Sequence, residues 1–215
     1  MTSKLTHTQN IVLQNFGQRQ IAAAKIGDLQ SLKDNHELMR TVLHEFGVQQ
    51  HPSQMFSQQA LTHSCKAGHA ECVAFLIEHT DISYGEYVAV RAAVEGNHFD
   101  CLKLLMEHTT LPLNIYQFCI NETIHYNQPQ CLQVLVDHFQ DGADYNMALV
   151  TSAVRDQYEC VDILYSVGDP KDAWMRIENY HDDEDVGLYL AAKLQQERLT
   201  AEVAVGSSVV STKKM

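Results

Sequence analysis

No stretch of the chain approaches the roughly 18 consecutive apolar residues that a membrane-spanning helix needs, so none is predicted. The segment from Met1 to Gln20 also lacks the apolar run of a secretory leader, and none is expected. Cations are scarce: 15 Lys and Arg stand against 27 Asp and Glu, a net charge of −12 at pH 7. That balance disfavours a nucleic-acid backbone or an anionic membrane surface as partner. It admits a basic protein and would speed the encounter with one. The six cysteines include no C-x-x-C pair, which points to reduced thiols in a cytosol-like compartment. There is no G-x-S-x-G, H-E-x-x-H, G-x-x-x-x-G-K or G-x-G-x-x-G, so no catalytic signature is legible and no enzyme is expected. Cys65 and His69 have helical spacing, but a turn residue, Gly68, lies between them.

What the chain does have is a repeated phrase. Cys72, Cys101, Cys131 and Cys160 recur at steps of 29, 30 and 29 residues, each followed by an apolar pattern such as Cys101-Leu102-Lys103-Leu104-Leu105. A period of this length means stacked short units in place of one globular core. Four residues before each cysteine stand Gly68, Asn97, Asn127 and Asp156, the residue types that best tolerate positive φ. Each marks a tight turn between two helices. The second helix of each unit has apolar residues at i, i+1, i+3 and i+4, one buried face. Glu71, Asp100 and Glu159 sit in its first turn, where the helix dipole favours them. The first helix is built from small residues, as at Ala89, Ala92 and Ala93, which lets neighbours approach closely.

Gly27 marks a similar turn 41 residues before Gly68, so that unit carries an insertion near 47–57. A degenerate last unit is expected between Ala173 and Leu194, with Asp182 at its turn and Val186 and Leu190 copying Cys160 and Leu164. The resulting division is an N-terminal lead over 1–17, an array over 18–205 and a disordered tail over 206–215.

The run from Ala92 to His108, Ala-Ala-Val-Glu-Gly-Asn-His-Phe-Asp-Cys-Leu-Lys-Leu-Leu-Met-Glu-His, resembles the ankyrin core A-A-x-x-G-H-L-E-V-V-K-L-L-L-E-H with one extra residue near the turn. Ala67-Gly68-His69-Ala70-Glu71-Cys72-Val73 is similar to the same stretch, and Gly142-Ala143-Asp144-Tyr145-Asn146 resembles the G-A-D-V-N loop. The resemblance covers roughly residues 18 to 195 and implies an all-α solenoid of about five to six ankyrin-like units. The T-P-L-H start is missing from every unit. The period is 29–30 residues where 33 is usual, and the deficit falls where the β-hairpin finger belongs.

The resemblance also implies a protein-binding scaffold or adaptor, or a translocated effector if the source is a pathogen, that grips its partner on a concave side. It places the variable positions just before each turn there, and the expected contacts are Lys66, Glu95, His125, Tyr126 and Arg155. An acidic inhibitor or immunity-type protein that neutralises a basic enzyme is the other functional reading. A cytoplasmic location, the host cytoplasm for an effector, goes with both. No cofactor, metal or small-molecule substrate is expected.

Three ladders accompany the repeat. Tyr87, Tyr116, Tyr145 and Trp174 are spaced at 29 residues. They fit a stacking column that replaces the missing fingers, or a row of aromatic anchors for a partner. The four repeat cysteines fit core packing. Packed helices are about 8–10 Å apart, too far for successive units to share an ion that holds sulfur at about 2.3 Å. His79, His108 and His138 fall near the ends of second helices, where they can bond free carbonyls. The densest charge cluster, His181 to Asp185, fits a solvated helix start or a contact for a basic partner.

Overall fold

The computed structural model describes residues 6–46, 53–138, 141–180 and 187–212. Twelve α-helices and no strand occur among them, distributed over two compact units, Met1–Thr123 and Ile124–Met215. The first unit holds α1 (His7–Ile26), α2 (Leu29–Glu45), α3 (Ser53–Ala67), α4 (Ala70–Ile77), α5 (Tyr84–Glu95), α6 (Phe99–His108) and most of α7 (Leu113–His125). The second holds α8 (Pro129–Asp137), α9 (Tyr145–Val154), α10 (Tyr158–Tyr165), α11 (Pro170–Tyr180) and α12 (Leu188–Thr212). The all-α repeat fold expected from the sequence is the one the chain adopts.

The turns explain why the helices come in pairs. Gly27, Gly68, Asn97, Asn127 and Asp156 all have left-handed backbones, with φ between 52° and 77°. In four of the five turns the next residue donates its N–H to the carbonyl five positions back. Asp28 bonds Ala23 at 3.0 Å, His69 bonds Ser64 at 2.9 Å, His98 bonds Ala93 at 2.9 Å, and Gln157 bonds Ser152 at 3.0 Å. This is the Schellman closure, which satisfies the last carbonyls of one helix. The next helix starts soon after, so only two or three residues separate the paired helices, one of them left-handed.

The second helices supply the core. Cys72, Val73 and Leu76 on α4, Cys101, Leu102 and Leu105 on α6, Cys131, Leu132 and Leu135 on α8, and Cys160, Val161 and Leu164 on α10 are all at most 1% exposed. Burying a Val or Leu side chain contributes about 1.5–3 kcal/mol, so each short helix is held mainly by this face. In the first unit, first helices approach closely. A Cβ on Gly17 of α1 would lie 2.3 Å from Cγ of Phe56 on α3. Buried Gln20 bridges the same pair, its amide donating to Ser57 Oγ at 3.3 Å.

Several boundaries differ from those read in the sequence. α1 begins at His7, where Thr6 and Gln9 form a capping box, and Leu13 is fully buried. Position 18, where the array was expected to start, therefore lies inside a helix. The extra length around 47–57 goes partly into longer helices. α2 has 17 residues where α4 has 8, and Ser53 to Ser57 form the start of α3; residues 47–52 lie outside the described residues. Leu190 is fully buried as expected of the last unit. Asp182, Val186 and the acidic run from His181 to Asp185 lie outside the described residues. α12 continues to Thr212, past position 206, where a disordered tail was expected.

The short connections are met in two ways. α6 passes to α7 through residues 109–112. At the start of α5, Gly85, Glu86 and Tyr87 have φ of 60°, 57° and 59°, so right-handed helix begins at Val88. α11 starts on Asp169, whose Oδ1 accepts from the N–H groups of Lys171 and Asp172 at 3.0 and 3.2 Å, with Pro170 in the first helical position.

Candidate functional site

The candidate contacts stand at the C-terminal ends of first helices. In the first unit, Lys66 and Glu95 are both exposed. One imidazole packs against both of the turns that follow them. The His98 Nε2–H donates to the Lys66 carbonyl at 3.1 Å. A Cβ on Gly68 would lie 2.5 Å from His98 Nδ1, and one on Gly96 would lie 2.5 Å from its Cδ2. The ring is thus seated between two glycines, one in each of two successive turns. His69 repeats the arrangement one unit earlier, donating from Nε2 to the Lys25 carbonyl at 3.1 Å above Gly27, where a Cβ would be 2.7 Å from Nδ1. These clamps hold successive first-helix ends in register and leave their side chains to solvent. The sequence reading missed them, although Gly68-His69 and Asn97-His98 were the visible signal.

Around this edge the charges are close enough to interact. Burial holds the His63 imidazole below its ordinary range, and the nearby Lys25 and Lys66 add to the effect. On α5, the Arg91 guanidinium lies 4.7 Å over the Phe118 ring of α7, and its buried Nε has no hydrogen-bond partner among the described residues. Tyr87 is half-buried at the left-handed start of α5.

In the second unit, His125, Tyr126 and Arg155 are exposed. The His125 and Tyr126 rings meet edge to face at 4.7 Å and 81°. A glutamine here takes the position that His69 and His98 hold. Gln157 donates from Nε2 to the Ile124 carbonyl at 2.7 Å, and the Cys160 thiol lies 3.7 Å from Asn127 Oδ1. Trp174 is half-buried and lines an open cleft of about 1000 Å³ with Met175, Leu194 and Arg198. α12 is tied to α10 through Asp162, which accepts from Tyr189 Oη at 2.8 Å and from Lys193. Burial pushes the Asp162 carboxyl up, but the bonds from Lys193 and Tyr189 outweigh it and leave it below the usual range.

The aromatic column divides. Tyr116 is fully buried and Tyr145 is 5% exposed, whereas Tyr87 and Trp174 remain partly open. Equivalent period therefore does not mean equivalent burial. Tyr116 and Tyr145 are core side chains and are withdrawn as surface anchors, because a partner could reach them only by opening the core.

All six cysteines are free and buried. Burial pushes Cys101 and Cys160 up to about 11, with Asp100 and Glu159 adding to it, so the thiols stay protonated and inert. Among the described residues no group of three or more His, Cys, Asp or Glu could hold a metal ion. His108 and His138 cap their own helices, donating from Nδ1 to the Leu104 and Val134 carbonyls at 2.8 Å each. His79 stacks on His36 at 4.4 Å. No helix among the described residues is long and apolar enough to cross a membrane.

Comparison with known proteins gives one positive result: a family model for ankyrin repeats, in three copies, matches residues 21–117. No curated protein and no solved structure matches the chain. Ankyrin repeats serve in general as protein–protein interaction modules and are typically non-enzymatic. The left-handed turns and paired helices of this region agree with that match, so residues 21–117 are similar to ankyrin repeats.

Proposed function

We propose that this protein is an interaction scaffold or adaptor that binds a partner protein through the exposed C-terminal ends of its first helices. The observation that carries the reading is a contrast at neighbouring positions. The residues just before each turn, Lys66, Glu95, His125, Tyr126 and Arg155, are all exposed and chemically different. The core cysteines and leucines a few residues later are buried and nearly identical from unit to unit. Invariant packing beneath a varied surface is what selective recognition requires, because the fold is kept while the contact chemistry changes. Tyr126, 54% exposed, and half-buried Tyr87 and Trp174 are the aromatic members best able to act as anchors.

The test is affinity capture from native lysate with the intact chain beside a variant carrying Lys66→Glu, Glu95→Lys and Arg155→Glu. A partner retained by the parent and lost by the variant, at equal helical content, supports the reading. A partner captured equally by both removes these positions from the site.

A further inference from the structure

Charge in the first unit is unevenly shared among its helices. The packed first helices α1 and α3 contain no Asp or Glu, yet they carry exposed Arg19, Lys25 and Lys66. The acids lie on the other helices, among them Asp34 and Glu37 on α2, Glu71 on α4, Glu86 and Glu95 on α5, Asp100 on α6 and Glu122 on α7. In a chain with 27 acidic residues, an acid-free pair of neighbouring helices is a surface of opposite character. Lys25 and Lys66 both act on His63, which places the three groups in one electrostatic neighbourhood.

Arg91 on α5 adds a directed donor. Its guanidinium is held over Phe118, its Nε is buried without a partner, and no ion pair to it occurs among the described residues. Glu95, one turn further along the same helix, does not reach it. A guanidinium whose plane is fixed by an aromatic ring presents its remaining N–H groups in the fork that suits a carboxylate. Glu86 and Glu95, the acids of α5, lie five positions before and four after Arg91 in the sequence.

We propose that the cationic groups of three successively packed first helices, Lys25 on α1, His63 and Lys66 on α3 and Arg91 on α5, receive an acidic segment of the partner protein, with one partner carboxylate seated on the Arg91 fork. This rests on the reading of the first-helix ends as the binding surface and adds the chemistry of the partner. The net charge of −12 repels a long polyanion as a whole. The attraction is local and acts within about a Debye length, roughly 8–10 Å. A short run of Asp and Glu fits those limits better than a nucleic acid does. It also reverses, for this face, the basic partner that the overall charge suggests.

The experiment titrates the full chain with three labelled probes at low and physiological salt: an oligo-glutamate peptide, an oligo-lysine peptide and a single-stranded oligonucleotide. The expected result is salt-sensitive binding of oligo-glutamate that falls about tenfold in a Lys25→Glu/Lys66→Glu variant. Arg91→Lys, which keeps the charge and removes the fork, also weakens it. Melting curves establish that each variant is folded. The proposal is overturned by no oligo-glutamate binding at about 1 mM, by binding indifferent to the charge reversal, or by an oligonucleotide that binds as tightly through the same residues. If lysate capture yields a partner through Lys66 while oligo-glutamate fails, the scaffold reading stands and this inference falls.

Discussion

Replacing Gly68 with Ala tests the clamp between successive units. Gly68 has φ of 77°, a left-handed backbone that disfavours an L side chain by about 1–2 kcal/mol. Its Cβ would also lie 2.5 Å from His98 Nδ1, so the imidazole must move off the Lys66 carbonyl it bonds at 3.1 Å. Losing that bond adds about 0.5–1.5 kcal/mol. The expected total is about 2–3 kcal/mol, a fall in Tm of roughly 5–10 °C, read by urea and thermal unfolding of the full chain. A double-mutant cycle separates the two parts. With His98→Ala already in place, Gly68→Ala should cost only the backbone part, leaving a coupling of about 1 kcal/mol. A loss below about 0.5 kcal/mol for Gly68→Ala, or strict additivity with His98→Ala, would refute the seating of the ring between the glycines.

Other outcomes follow from the same geometry. Asp156→Gly relieves a non-glycine residue at φ 54° and should raise stability by about 0.5–1 kcal/mol, measured as a shift in denaturation midpoint at unchanged slope. Cys101 and Cys160, raised to about 11 by burial, hold their protons more tightly folded than unfolded. Stability should therefore be fully present below the unfolded thiol value near 8.5 and decline as pH rises through 11. Denaturation midpoints at pH 8 and pH 10.5 check this. All six thiols should resist a thiol reagent in the native chain and react once it is unfolded; rapid native reaction at Cys101 would contradict its burial.

The repeat was legible because it rests on local chemistry. A residue that tolerates left-handed φ, followed four positions later by Cys and an apolar run, is visible in the letters at Gly68, Asn97, Asn127 and Asp156, and all four adopt that backbone, as does Gly27. Burial within the aromatic column was not legible. A fixed period reports equivalent positions along the chain but not how deep a neighbouring helix lets each ring sink. Tyr116 and Tyr145 are core, while Tyr87 is held at an open, left-handed helix start. The pairing of Arg91 with Phe118 and the seat of His98 over Gly68 join residues 27 and 30 positions apart. No periodicity within one helix announces such contacts. The candidate positions before the turns could be counted back from the turn residues, and Lys66, Glu95, His125, Tyr126 and Arg155 are exposed there.

The most direct test of binding through the first-helix ends is site-specific photo-crosslinking in lysate. A photoreactive residue is placed in turn at Lys66 or Tyr126, and at Lys103 or Gln133 on second helices as controls; all four positions are exposed. The account expects the same partner protein attached from Lys66 or Tyr126 and none from the second-helix positions. Cross-links arising from Lys103 or Gln133 alone would contradict it.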